Sequence, residues 1–399
     1  MTTVGIVGGQ LQGLEAVYLA RQAGFKAALI DKDPRVPARA LSDVFHRIDV
    51  LKDEMRVGAL MKTFDLVLPA NENYQVLAKL GELSSRYGFP LALDLPAYRI
   101  SSSKRDSNAL FARFRIPMPE PWPECGLPVI VKPSGLSGSA GVVRVEDEAH
   151  LAAVLDRMGS DTVVQQYLGG PSYSLEVLAH HGQCVCLQVT ELHFDAGYDC
   201  KRVLAGPDTG SGVTAALCLL GERLASALSL SGIMDIEVID DRGGLKVLEI
   251  DARLPSQTPT AVYHSTGVNI VALLVEYWRN GTLPSWSRYQ GKRQAVLYEH
   301  WKFRDGILEV SGEHILAGAQ RLGIFHNRFS TDVLISNCDA FPSDWVATAV
   351  FTGETESRAW EKRKQALREL SRAFPVSGVV DPKPGDQGSR DDTALLRYY

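Results

Sequence analysis

The segment 232–253, GIMDIEVIDDRGGLKVLEIDAR, constrains this chain more than any other. Two apolar, β-branched runs at 233–239 and 245–250 flank Asp240-Asp-Arg-Gly-Gly244, so acidic and glycine residues form the turn of a β-hairpin. Alternation along a strand then puts Asp235 and Glu237 on one face of the first strand, and Glu249 and Asp251 on one face of the second. Carboxylates that share a sheet face repel one another and lose hydration when covered. One resolution is an edge hairpin whose acidic face stays in water. The other is a hard cation such as Mg²⁺, which takes oxygen ligands and keeps a nucleotide's phosphates in its shell. Arg253, two residues beyond the last carboxylate, favours the second, because a guanidinium suits bidentate contact with a phosphate or carboxylate.

The sequence around the hairpin reads as α/β and α+β. With 399 residues the chain has room for two or three domains. Residues 1–100 alternate strand and helix as a Rossmann-like domain: a short apolar strand at 4–7, a turn Gly8-Gly-Gln-Leu-Gln-Gly13, a helix, and a second strand ending at Asp31. The glycines at 8, 9 and 13 are not in the G-x-G-x-x-G register, and Asp31 suits either ribose hydroxyls or a plain surface turn. Gln10, Leu11, Gln12, Asp31, Asp49, Asn71 and Glu72 fall in loops at the carboxyl edge of this sheet, where open α/β sheets bind ligands. An amino acid and a second nucleotide are both candidates there.

Residues 101–180 read as a connector and a small subdomain. Lys104 opens a helix over 105–114, and prolines at 117, 119, 121, 123 and 128 then enforce extended backbone, the mark of a boundary. The strand 129–133 places Lys132 among Val and Ile, where an unpaired ammonium would be costly. It is followed by a loop of small residues at 134–141. Ser134, Ser137 and Gly138 in that loop offer hydroxyls and backbone N–H groups to anionic oxygens, although the G-K-[ST] of a P-loop is absent. A flexible hairpin tip is the alternative for the loop alone. The strand Gln165-Gln166-Tyr167-Leu168 breaks at Gly-Gly-Pro171, a hinge able to meet an adenine edge.

Residues 181–290 form a larger subdomain carrying the acidic hairpin, with a polar, mobile loop expected at 193–200 and a hydroxyl-rich segment at 254–260. Residues 291–375 read as α+β, with strands near 294–299 and 332–336 and a charged helix near 354–373. Residues 376–399 read as a disordered tail. The net charge of −5 gives no reason to expect nucleic acid or an anionic membrane as partner. No apolar run approaches the ~20 residues of a membrane span, and the chain opens on a strand rather than a signal peptide. Six scattered cysteines without a C-x-x-C pair fit buried, inert thiols in a reducing cytoplasm.

In this order, a βαβ domain, Lys104, a Val-Lys-Pro strand with a glycine-serine loop, a hinge strand and an acidic hairpin ending in Arg253 resemble the ATP-grasp carboxylate–amine ligases over nearly the whole chain. The resemblance implies two α+β subdomains holding ATP, with Mg²⁺ on Glu237, Glu249 and Asp251. The family usually has Asn at the last of these positions. It further implies Lys104 and Lys132 as phosphate contacts and 165–168 as the adenine hinge. The usual acidic ribose ligand is replaced near Pro171 and Ser172. More specific segments are VGGQLQG at 7–13, PANEN at 69–73, AYRIS at 97–101 and EIDARLPSQTPT at 249–260. They are similar to a branch of that family that joins two amino acids, and imply 3-methyl-D-ornithine as carboxyl donor and L-lysine as amine. Glu176, Asp199 and Asp235 are then candidates for holding ammonium groups or deprotonating the amine, Arg253 for the carboxylate, and Ser256 and Thr258 for further hydrogen bonds. A homodimer stays open. The competing classes are a nicotinamide-dependent oxidoreductase built on the first domain, a nucleotide-binding sensor without turnover, and, inside the family, a purine-pathway-type carboxylase or another amino-acid ligase.

Overall fold

The computed structural model describes residues 1–206, 210–241, 244–284 and 293–384. The chain divides into two compact units, one made of Met1–Ala92, Leu192–Thr209 and Leu254–Tyr399, the other of Leu93–Glu191 and Gly210–Arg253. The N-terminal domain thus belongs with the C-terminal region, and the hairpin with the proline-rich connector.

In the first unit, four parallel strands run in the order Val44–Arg47, Lys26–Asp31, Thr3–Val7, Leu66–Pro69, with helices Leu11–Gln22 and Glu54–Met61 as crossovers and the helix Tyr74–Tyr87 following the last strand. The turn after the first strand explains its glycines by packing. Gly8 has φ +107° and a Cβ there would sit 2.4 Å from the Ala70 carbonyl oxygen, while one on Gly13 would sit 2.1 Å from the Gly8 oxygen. A second, antiparallel sheet joins Cys200–Ala205, Ala295–Arg304, Asp344–Gly353, Val333–Ser336 and Gly323–His326. Its core holds the fully buried Trp301, Phe303, Trp345 and Phe351 beneath the helix Glu356–Ala373.

Two expectations change here. The loop expected at 193–200 narrows to 195–199: the strand Gln183–Phe194 runs into it, and the next strand starts at Cys200 after a turn closed by the Asp195 carboxylate, which accepts from the Gly197 and Asp199 amides. The tail expected to be disordered from 376 is ordered at its start. Gly378–Val380 adds a parallel strand to Ile307–Val310, and Asp381 ion-pairs with Lys201 and Arg202. The rest of that expected tail, 385–399, lies outside the described residues.

The second unit has a three-stranded antiparallel sheet, Val143–Val145, Val129–Pro133, Thr162–Gln166, closed over a small core of Val129, Val131, Val145, Leu151 and Val154. Its other sheet runs Leu245–Asp251, Gly232–Asp240, Ser172–His180 and then Gln183–Phe194, whose last three residues belong to the first unit. The helix Ser211–Leu228 lies tight on this sheet: a Cβ on Gly221 would stand 2.8 Å from Val177 Cγ2. None of the six cysteines is disulfide-bonded, and only Cys338 is buried, so most are less enclosed than expected. No helix among the described residues is long and apolar enough to cross a membrane.

Candidate active site

The hairpin forms with the expected alternation, and its register adds what alternation alone leaves open. Glu237 stands opposite Glu249 and Asp235 opposite Asp251. The neighbouring strand places Glu176 opposite Asp235 and Ser174 opposite Glu237. Two transverse rows result. One is Glu176, Asp235, Asp251; the other is Ser174, Glu237, Glu249.

Burial and like charge dominate both rows. Asp235 is pushed up to about 8, first by burial and then by Glu176 and Asp251, although the Ser174 hydroxyl donates to it at 2.5 Å. Glu237 is also pushed up to about 8, by burial and by Asp235 and Glu249. Cations of the chain stand at the ends of the rows. The Lys104 ammonium donates to Glu249 Oε1 at 2.9 Å and to the Leu136 carbonyl at 2.5 Å. Arg253 meets Asp251 at 2.6 Å. Lys132 lies buried with its Nζ 3.3 Å from the Leu248 carbonyl, and burial, with Lys104 nearby, holds it down at about 8 against the pull of Glu249 and Glu237.

Local sequence explains these positions. Lys104 is the first residue of the helix Lys104–Phe114, capped by the Ser103 hydroxyl on the Asp106 amide. Its backbone N–H donates to the Ser134 carbonyl, and the Ser134 hydroxyl accepts from Arg105 N, which ties the loop 134–141 to the helix start. Ser137 and Gly138 lie further along the loop, Gly138 at φ +58°. Gln165 is buried, the backbone amides of Gln166 and Tyr167 donate to the Glu120 and Pro128 carbonyls, and Leu168 is buried. The Tyr167 ring lies under the Arg144 guanidinium, 4.1 Å from its centroid.

The two rows offer only oxygen donors, five carboxylates and the Ser174 hydroxyl, as a hard cation prefers. Among the described residues no three acidic, histidine or cysteine side chains close round a common point. The three expected ligands, Glu237, Glu249 and Asp251, therefore do not converge as a preformed metal site.

The remaining expected residues lie in the first unit. Gln12 donates to Glu72 at 2.6 Å, and Asn71 donates to the Val7 carbonyl, at the carboxyl edge of the parallel sheet. Gln10 precedes the helix that begins at Leu11. Asp31 accepts from the Gly9 and Asp33 amides, so it ties the glycine turn together. Asp49 caps a turn at Leu51 and faces Lys52. Asp199 holds the His314 ring and backbone amide. Ser256 donates to Glu313 at 2.9 Å, and Thr258 begins a helix, Thr258–Thr266, that the hydroxyl-rich sequence did not reveal. Sequence reasoning also missed Ser174, and it missed Glu15, Glu313 and His300, three polar groups enclosed in one cavity of the first unit. The available signal was Glu15 alone, an acid inside the apolar helical run LEAVYLA.

Two lysines over an acidic hairpin define a class, and the profile of the ATP-grasp domain matches residues 101–257. At nearly full length the chain is similar to the 3-methyl-D-ornithine–L-lysine ligase of Methanosarcina barkeri, 34% identical over 94% of this chain and 99% of the relative. Its counterpart from Methanosarcina acetivorans is 35% identical over the same shares. The chain belongs to the family of these ATP-grasp ligases. Among solved structures, a biotin carboxylase of Campylobacter jejuni superposes with TM-score 0.71 at 15% identity, over 92% of this chain and 91% of that one. An L-amino acid ligase of Bacillus licheniformis does so with TM-score 0.65 at 16% identity, over 94% and 98%. At these identities the structures establish the fold alone.

Proposed function

We propose that this protein joins the carboxylate of 3-methyl-D-ornithine to the side-chain amine of L-lysine with conversion of ATP to ADP and phosphate, a step of pyrrolysine biosynthesis. The observation that carries this reading is the pair of carboxylate rows terminated by Lys104 and Arg253, in a chain one-third identical to ligases of that name over 94% of its length.

In the reaction the donor carboxylate attacks the γ-phosphoryl group and ADP leaves; the amine, having lost a proton, then attacks the acyl carbon, and inorganic phosphate leaves as the amide forms. Little covalent chemistry is asked of the protein; it must position the groups and compensate charge. Lys104 and Lys132 are the groups we assign to the phosphates. Both are buried, so their charge acts through a medium of low dielectric and is worth more than it would be in water. Gln165, Gln166, Tyr167 and Leu168 are assigned to adenine, and Ser134, Ser137 and Gly138 to the phosphate loop that excludes water from the acyl phosphate. Glu237, Glu249 and Asp251 would hold Mg²⁺, which supplies charge neutralisation at the phosphates. Arg253 is assigned to the donor's reacting carboxylate, with Glu176 and Asp235 for an ammonium. Asp235, pushed up to about 8, is also suited to take the proton the amine must lose. In the first unit Asp199, Ser256 and Thr258 are assigned to amino-acid recognition. There Gln10, Leu11, Gln12, Asp49, Asn71 and Glu72 are assigned to L-lysine, with Glu72 for its ammonium; Asp31 is the group that would serve a nucleotide ribose instead.

The test is incubation with Mg·ATP, L-lysine and either D-ornithine, which lacks only the methyl group, or D-alanine. A D-ornithyl-lysine isopeptide and little D-alanyl product are expected by mass spectrometry. A methyl group accounts for about 1–3 kcal/mol of discrimination at most, whereas an unmatched buried charge rejects far more strongly. Equal yields from both donors, or ADP release without an amide, would remove this reading.

A further inference from the structure

Three thiols of the second unit stand together. Cys184 and Cys186 share one face of the strand Gln183–Phe194, and Cys218 lies on the helix Ser211–Leu228 that packs on the same sheet. Cys186 Sγ comes within 3.6 Å of the Cys218 carbonyl oxygen, and its thiol hydrogen-bonds with the thiols of both Cys218 and Cys184. The three form a row with Cys186 in the middle. Among the described residues no such group closes round a common point, so the row suits exchange between neighbouring sulfurs rather than a metal ion. All three are partly exposed, and the exposed Leu219 and Glu222 flank Cys218 on the helix, so a reagent in solution reaches them.

Gly221, one turn beyond Cys218, brings the sulfurs together. A Cβ there would stand 2.8 Å from Val177 Cγ2 and 3.6 Å from Cys186 Sγ, so only a residue without a side chain lets the helix settle this close to the strands. Val177 follows Glu176 and Ile236, also packed at Gly221, follows Asp235. By alternation the thiols therefore lie on the face of the sheet opposite the carboxylate rows, outside the candidate active site. The two central thiols also differ in acidity. A hydrogen bond from Cys186 holds the Cys218 thiol down at about 7, against burial and the Glu222 charge, while that hydrogen bond and burial push Cys186 up. Cys218 is then the sulfur that is a thiolate near neutral pH, the form that attacks.

We propose that Cys186 and Cys218 form a dithiol site that small disulfides oxidise. The Cys218 thiolate attacks one sulfur of a disulfide RSSR, which forms a mixed disulfide and releases RS⁻. Cys186 then attacks the Cys218 sulfur, gives up its proton and expels the second RS group. The products are the Cys186–Cys218 bridge, one RSH and one RS⁻: two protein thiols are oxidised and one small disulfide is reduced to two thiols. The bridge fastens the helix Ser211–Leu228 to the strand Gln183–Phe194 behind the carboxylate rows.

The experiment incubates the full-length chain, reduced beforehand, with cystamine at neutral pH, a small disulfide whose ammonium groups suit the Glu222 carboxylate. Remaining thiols are alkylated and the peptides mapped by mass spectrometry. Wild type should lose two hydrogens and yield a cross-linked Cys186–Cys218 peptide, with Cys125, Cys200 and Cys338 recovered alkylated. Cys186→Ala cannot close the bridge and should accumulate the cysteamine adduct at Cys218. Its formation should be about 5-fold slower than the first step in wild type, the net of a smaller thiolate fraction and a more nucleophilic thiolate. Unfolding in urea should abolish the preference for these two sulfurs, because their contact belongs to the fold. The wild-type map stands whether or not the variant folds. All six thiols recovered alkylated, adducts spread over the cysteines without a bridge, a bridge to Cys184 in place of Cys218, or the same bridge formed as fast in urea would each overturn the proposal.

Discussion

Replacing Glu15 by Gln should stabilise the protein at alkaline pH, and the size of the effect follows from its burial. Glu15 is 6% exposed, and its carboxyl is raised from 4.5 to about 7 in the folded chain. The folded state therefore holds this proton more tightly than the unfolded state. Stability is unaffected below pH 4.5, falls as pH rises through the interval from 4.5 to about 7, and is reduced by the full amount above it. At 1.36 kcal/mol per unit the shift corresponds to about 3 kcal/mol. Glutamine keeps an oxygen that can accept the Thr260 amide and does not titrate. Urea unfolding of both proteins from pH 4.5 to 8.5 is the assay, and the difference between them cancels every other titrating group. The gap should open from near zero at the acid end to about 3 kcal/mol at pH 8. Parallel curves, or a wild type more stable than the variant at pH 8, would refute the argument that Glu15 is charged there at a cost.

Glu249→Gln should reduce ADP formation by at least about 100-fold, the usual loss when a group stabilising developing charge is removed, while the melting temperature stays close to wild type. Coupled-enzyme detection of ADP checks this, and near-normal turnover would dismantle the metal reading. Gly8→Ala should destabilise the first unit by about 1–3 kcal/mol, since φ is +107° and a methyl group would meet the Ala70 carbonyl at 2.4 Å. Denaturant unfolding of the variant measures it, and wild-type stability would show that the turn relaxes at no cost.

Much of the second unit was legible because its chemistry sits on short-range patterns. Alternation put Asp235, Glu237, Glu249 and Asp251 on one face, and proline density marked the boundary before Lys132. Register was not legible: the pairing of Glu237 with Glu249 depends on the turn and on a bulge between Glu237 and Val238. The strand Asp344–Gly353 escaped notice because WVATAVF, apolar at every position but Thr348, lies in a sheet interior, where periodicity cannot separate strand from helix. The helix Thr258–Thr266 was hidden by its own start signal, since Pro259 in the first turn reads as a breaker until the helix behind it is seen. Glu15 and Glu313 are nearly three hundred residues apart, and only the tertiary fold brings them to one cavity.

The division of the chain into two units also bears on how such an enzyme can diversify. The backbone passes from one unit to the other at 92/93, 191/192, 209/210 and 253/254. No single cut yields an intact half, and neither unit can be lifted out as a contiguous cassette and grafted onto another partner. A single crossover anywhere between 92/93 and 253/254 would separate segments of one unit that pack together, so a chimera of two such chains keeps both cores only if every crossing is matched.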